Sequence, residues 1–180
     1  MKSGVSRHAT SQAGFTLVEL LVASALTLLV MSVLVQVVLT TWRAGTTATS
    51  RIEASGQVRN FQFYAYDDFA HANLPVPAGC AATAASPCTT QPILLQGVQA
   101  SNSINPTTSA YDVTYAWDGT NLLQRQAAGN PATNAAADVS AFSWYLDGPA
   151  GHQTVVVTIS VTVQSYTQTQ TFRFNPRVNP

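Results

Sequence analysis

Few side chains in this 180-residue chain are placed to do chemistry, and the most unusual is a single acid, Glu19, set inside an otherwise apolar run. A carboxylate within a membrane-spanning helix costs about 2.5–3.5 kcal/mol at the bilayer centre and less near the ends, so it calls for a cationic partner. The next candidates are Cys80 and Cys88, eight residues apart, whose chemistry is a crosslink in an oxidising compartment. Two cysteines do not make a tetrahedral zinc site, and His8, His71 and His152 are too scattered to complete one, so neither metal nor cofactor is expected. Asp67 and Asp68 are adjacent and point about 100° apart on a helix. They read as a solvated helix face, with one of them able to bond the following loop and His71 three residues beyond Asp68. Phosphate loops, serine elbows and zinc motifs do not occur, so a catalytic role is not expected.

Charged residues make up only 9% of the chain and formal net charge is zero. A nucleic-acid protein would show a clustered basic surface, so no nucleic-acid partner is expected. The aromatic residues are not interleaved with Lys or Arg, which suits strand cores better than a base-stacking platform.

The element that must position Glu19 is the run from Phe15 to Leu39, FTLVELLVASALTLLVMSVLVQVVL. At about 1.5 Å per residue it is long enough to cross a bilayer. Residues 1–14 before it are polar and hold Lys2 and Arg7 without an acid, whereas Arg43 is the only cation close behind it. The positive-inside rule then puts the N-terminus in the cytoplasm and the rest outside. A secretory signal peptide cut near Ala23-Ser24-Ala25 fits less well, because its apolar region would contain Glu19 and leave a second apolar stretch on the mature chain.

Gly14-Phe15-Thr16-Leu17-Val18-Glu19, continued by Leu20-Leu21-Val22-Ala23, resembles the signal sequence of type IV prepilins and type II secretion pseudopilins. The resemblance covers residues 1–40. It implies cleavage after Gly14 by a prepilin peptidase, N-methylation of Phe15 as the new N-terminus, and retention of the apolar segment in inner-membrane lipid. It also implies that Glu19 meets the Phe15 amine of a neighbouring (pseudo)pilin subunit and sets the axial register of the filament. A helix places residues 15 and 19 one turn apart, so an intramolecular pair is open as well. Many filament pilins carry Pro or Gly within the apolar segment; residues 15–39 contain neither.

The expected organisation is a leader, 1–14; a transmembrane assembly helix, 15–39; an amphipathic spine helix, 40–74; and a β-rich periplasmic head, 75–180. Ala54, Val58, Phe61, Ala65, Phe69 and Ala72 recur at spacings of three and four and form an apolar helical stripe. Pro75 and Pro77 end the helix, while Gly45 and Gly56 are the places where it could break. Residues 75–92 read as a loop holding both cysteines. Period-two alternation predicts strands over 111–117, 122–125, 139–146, 155–163 and 166–174, with a turn at Asp118-Gly119. Residues 97–110 and 127–138 read as small, polar loops. The fold class is α+β, with an antiparallel sheet packed on the helix stripe as in a type IV pilin-like fold.

Gln57-Val58-Arg59 with Tyr66-Asp67-Asp68-Phe69-Ala70, and the stretch from Tyr111 to Gly119 with Leu122-Leu123-Gln124-Arg125, resemble J-type minor pseudopilins and PilW-like minor pilins. Glu19 argues against the K-type tip pseudopilin, which lacks that acid. The functions implied are a structural subunit at a priming tip or, alternatively, a pilin-like module that captures a substrate, a surface or DNA. The neutral charge counts against DNA.

Overall fold

In a computed structural model of the protein, residues 14–77, 79–101, 107–149 and 152–176 are described, with backbone alone for 98–101 and 107–111. Residues 1–13 of the expected leader, with Lys2, Arg7 and His8, lie outside them. The chain divides into two compact units, 1–45 and 46–180. One helix, α1 (Leu17–His71), contributes to both and continues through Gly45 and Gly56.

In the first unit α1 is apolar on every side, and its large side chains from Leu17 to Leu39 are solvent-facing. It contains a window with mean hydropathy 2.4, none of it buried, which is long and apolar enough to cross a membrane. Ser24, Thr27, Ser32, Thr40 and Thr41 return their hydroxyls to carbonyls three or four residues back. No side-chain donor of these five is then left unpaired in an apolar surrounding.

The second unit is α+β. Among the described residues seven strands follow α1: β1 (Ile93–Ser101), β2 (Thr107–Trp117), β3 (Leu123–Ala127), β4 (Thr133–Ala136), β5 (Val139–Asp147), β6 (Thr154–Val163) and β7 (Tyr166–Phe174). All pairings are antiparallel, in two sheets ordered β1-β2-β3-β4 and β5-β6-β7 rather than the single sheet anticipated. Every residue of the apolar stripe, from Ala54 to Ala72, is buried. Phe61 and Phe69 join the sheets. Phe61 meets Tyr115 edge-on at 5.7 Å and Phe142 at 6.4 Å, and Phe69 stacks on Phe174 at 4.3 Å. Each buried ring contributes roughly 1.5–3 kcal/mol from area alone.

Two expected loops are corrected. Residues 97–101 and 107–110 extend β1 and β2, and 133–136 form β4. Small polar residues carry weak strand propensity, and pairing supplies the order instead. The outer edge of β4 is sealed by α1: Asn60 donates to the Ala135 carbonyl at 3.0 Å, and the Ala137 N–H donates to Gln57 Oε1 at 2.9 Å. Gly97 packs so tightly on the end of α1 that a Cβ there would lie 2.5 Å from the His71 carbonyl oxygen. At the β2–β3 turn, Gly119 takes φ +80°, and Asp118 accepts the N–H groups of Thr120, Asn121 and Leu122. Those backbone donors hold its carboxyl down at about 2.

Cys80 and Cys88 form a disulfide, with Cα atoms 5.5 Å apart. Beside it, Cys88 and Trp144 exchange backbone hydrogen bonds at 2.9 Å, and Leu146 donates to the Ala82 carbonyl, so the loop closes the outer edge of β5. Replacing both cysteines by Ser should lower stability by about 2–3 kcal/mol, the loop-closure value for so short a ring. Urea titration of the detergent-solubilised chain measures this. Thiol alkylation of exported protein should take up two labels only after reduction, and labelling without reductant would sink the assignment.

Candidate assembly site

Local chain preferences set the geometry around Glu19. Gly14 and Phe15 are non-helical and exposed, and Phe15 keeps 83% of its surface free. Among the described residues nothing lies within 4 Å of the place a Gly14 Cβ would occupy. Thr16 is the N-cap of α1. Its Oγ1 accepts the Glu19 N–H at 3.3 Å, while Glu19 Oε2 accepts the Thr16 N–H and hydroxyl, each at 3.5 Å. This Thr-x-x-Glu reciprocity is a capping box, and it also sets an acid where the helix dipole favours one. The sequence reading passed over Thr16, although Thr followed three residues later by Glu is the signal that finds it.

The capping bonds are long, and both partners are exposed. Glu19 is thus oriented toward the start of the helix while its carboxylate keeps accepting capacity. A cationic amine created at Phe15 would arise four residues before this carboxylate, just ahead of the helix N-cap.

A second polar cluster sits in the 46–180 unit, where sequence reasoning placed a solvated face. Asp67 is exposed as expected, but Asp68 keeps only 1% of its surface. Its Oδ2 accepts Arg125 Nε at 2.6 Å and the Tyr115 hydroxyl, and its Oδ1 accepts Arg125 Nη2 at 2.7 Å. Tyr115 and Arg125 are direct cross-strand neighbours of β2 and β3, and the Tyr64 ring lies 5.4 Å from the guanidinium. Burial, reinforced by the Asp68 carboxylate, pushes the Tyr115 phenol far above its usual range, so it stays a donor. The hydrogen bonds to Asp68 raise Arg125 in turn. The His71 Nδ1 lies 2.8 Å from the Asp67 carbonyl oxygen. Sequence spacing carried the signal: Asp68 is three residues after Ala65 and four before Ala72, on the buried stripe itself. The arrangement is a bidentate clamp between helix and sheet. Among the described residues no group of three or more His, Cys, Asp or Glu could hold a metal ion.

An exposed apolar helix with an acid in its first turn, and an α+β unit that includes the rest of that helix, are consistent with a type IV pilin-like fold. The family model for the prokaryotic N-terminal methylation motif matches residues 10–35, and the chain carries this type IV pilin and pseudopilin signature there. No curated protein and no solved structure matches the chain. The motif implies a structural subunit that assembles with other pilin subunits and is processed by a prepilin peptidase.

Proposed function

We propose that the protein is a minor pilin or pseudopilin, a subunit in the priming or tip complex of a (pseudo)pilus belonging to a type II secretion or type IV pilus system. The apolar part of α1 holds it in the inner membrane, with the N-terminus cytoplasmic before cleavage and the 46–180 unit periplasmic. Processing after Gly14 exposes Phe15, whose amine is N-methylated and pairs with Glu19 of an adjacent subunit. The observation that carries this reading is the exposed Gly14-Phe15 bond directly before a helix whose first turn presents a carboxylate. Amine and acid are each costly in the membrane, and pairing relieves both costs.

Mass spectrometry of the membrane-extracted protein tests the reading. The mature chain should begin at methylated Phe15 and lack Lys2 and Arg7. An N-terminus beyond Ala25 would overturn it.

A further inference from the structure

Two sheets have four outer strand edges, and three of them carry built contacts. Asn60 and Gln57 seal β4, and the disulfide loop seals β5. The Asn73 N–H donates to the Gln96 carbonyl of β1 at 2.7 Å. The fourth edge, β7, has no backbone partner on its outer side among the described residues. Which groups point outward follows from β6. The Thr162 N–H donates to Asp138, away from β7, so Thr162 and Thr167 are a non-hydrogen-bonded pair. The register is regular, so the N–H and C=O groups of Thr167, Thr169, Thr171 and Arg173 face the open edge. Nine paired residues without Pro, and with Arg173 as their only charge, make a long unguarded template.

Side chains define what fits there. On one face, hydroxyl pairs Thr158–Thr171, Ser160–Thr169 and Thr162–Thr167, at 2.8–3.0 Å, run across the sheet and stop at β7. On the other face, a groove of about 410 Å3 separates β7 from α1 and is bordered by Arg59, Gln62, Gln168, Gln170 and Phe172. Arg59 lines its helix side and forms no ion pair with a carboxylate among the described residues. The charge left for a partner to match is positive. A second copy of this chain is a poor fit. Contacts Ser50–Gln164, Ser55–Gln168 and Phe61–Phe172 show that α1 runs parallel to β7. Two-fold pairing of β7 with itself would therefore put the two Thr46 ends, where each chain arrives from its apolar segment, at opposite ends of the pair.

We propose that β7 is a docking edge, to which a different filament subunit adds an extended strand carrying an acidic side chain toward α1. The proposal rests on the reading of the chain as a filament subunit. Backbone bonding supplies the affinity, and the Arg59 side of the groove selects the partner.

Amide exchange of the full chain, in detergent and in assembled filaments, reads the edge directly. Thr167, Thr169, Thr171 and Arg173 should slow by about a hundredfold on assembly, while Gln168, Gln170 and Phe172 are protected in both states. Thr169→Pro removes no backbone bond to β6, since that N–H points outward, and loses only the exposed hydroxyl pair with Ser160. It should melt close to the wild type and keep Gly14 cleavage but reduce filament incorporation about tenfold. Arg59→Glu leaves the backbone untouched and should reduce incorporation as well. Unchanged exchange on assembly, or wild-type incorporation of both variants, overturns the proposal. Disulfide dimers of the full-length Gln170→Cys chain would give the edge to a second copy and overturn it too. A chain not cut after Gly14 sinks the filament reading instead, whereas correct cleavage with an indifferent β7 sinks only the docking edge.

Discussion

Glu19→Ala should enter the membrane and be cut after Gly14 like the wild type, yet be lost from the filament. Insertion loses a costly carboxylate and stays intact or improves. Assembly loses the acceptor for a neighbour's Phe15 amine. Truncating one partner of a buried charge pair costs about 2–5 kcal/mol, and the lower end applies because Glu19 sits near the end of the apolar segment. That corresponds to at least a tenfold fall in incorporation. Glu19→Asp keeps the charge with one methylene less reach and should be intermediate. Glu19→Gln keeps the shape without the charge and separates hydrogen bonding from ion pairing. The measurement is crosslinking to partner subunits together with secretion or piliation. Wild-type assembly of Glu19→Ala would reduce this residue to a helix cap, a role for which Thr16 supplies the geometry.

The second large effect belongs to Asp68. Asp68→Ala leaves Arg125 and the Tyr115 hydroxyl without their shared acceptor, between a helix and two strands. Breaking a buried pair from one side costs about 3–5 kcal/mol. The Arg125 side chain keeps 21% of its surface, so solvent recovers part of that and a loss of about 3 kcal/mol is expected. Urea titration of the full chain in detergent reads it as a lower midpoint at constant slope. The triple change Asp68→Ala, Tyr115→Phe, Arg125→Met removes every charged and hydroxyl member at once and should regain most of the loss. A single-variant loss below about 1 kcal/mol would show that the clamp is cosmetic.

The contrast between these two acids shows how far the sequence could be read. Glu19 stood out because its surroundings are wrong for a charge, and no tertiary information was needed. Asp68 had ordinary neighbours, and its partners lie 47 and 57 positions away on strands whose pairing decides whether they meet. The helix stripe and strands β5 and β6 were legible because each buries one face, so periodicity survives in the residue types, and β7 was legible from Phe172 and Phe174 at its end. β4 was not, since Thr133-Asn134-Ala135-Ala136 has no alternation and Thr133 as its one β-branched side chain, and it is held by Asn60 and Gln57 from the helix. The division into two sheets was hidden for a similar reason. Strand patterns specify a buried face, whereas the partner across the core is chosen by packing around Phe61 and Phe69.

The hydroxyl rows on the outer face of β5-β6-β7 bear on where such a surface can work. Most soluble proteins keep their exteriors wet with ionised groups, whose effect depends on the medium through protonation and ionic screening. Across Thr158, Ser160, Thr162, Thr167, Thr169 and Thr171 there is nothing to protonate and no counterion layer to compress. Such a wall presents the same hydration in acid or alkali and in dilute or salty water. Apart from the Arg173–Asp147 ion pair at one end, a face built this way gives the surrounding fluid no ionic handle.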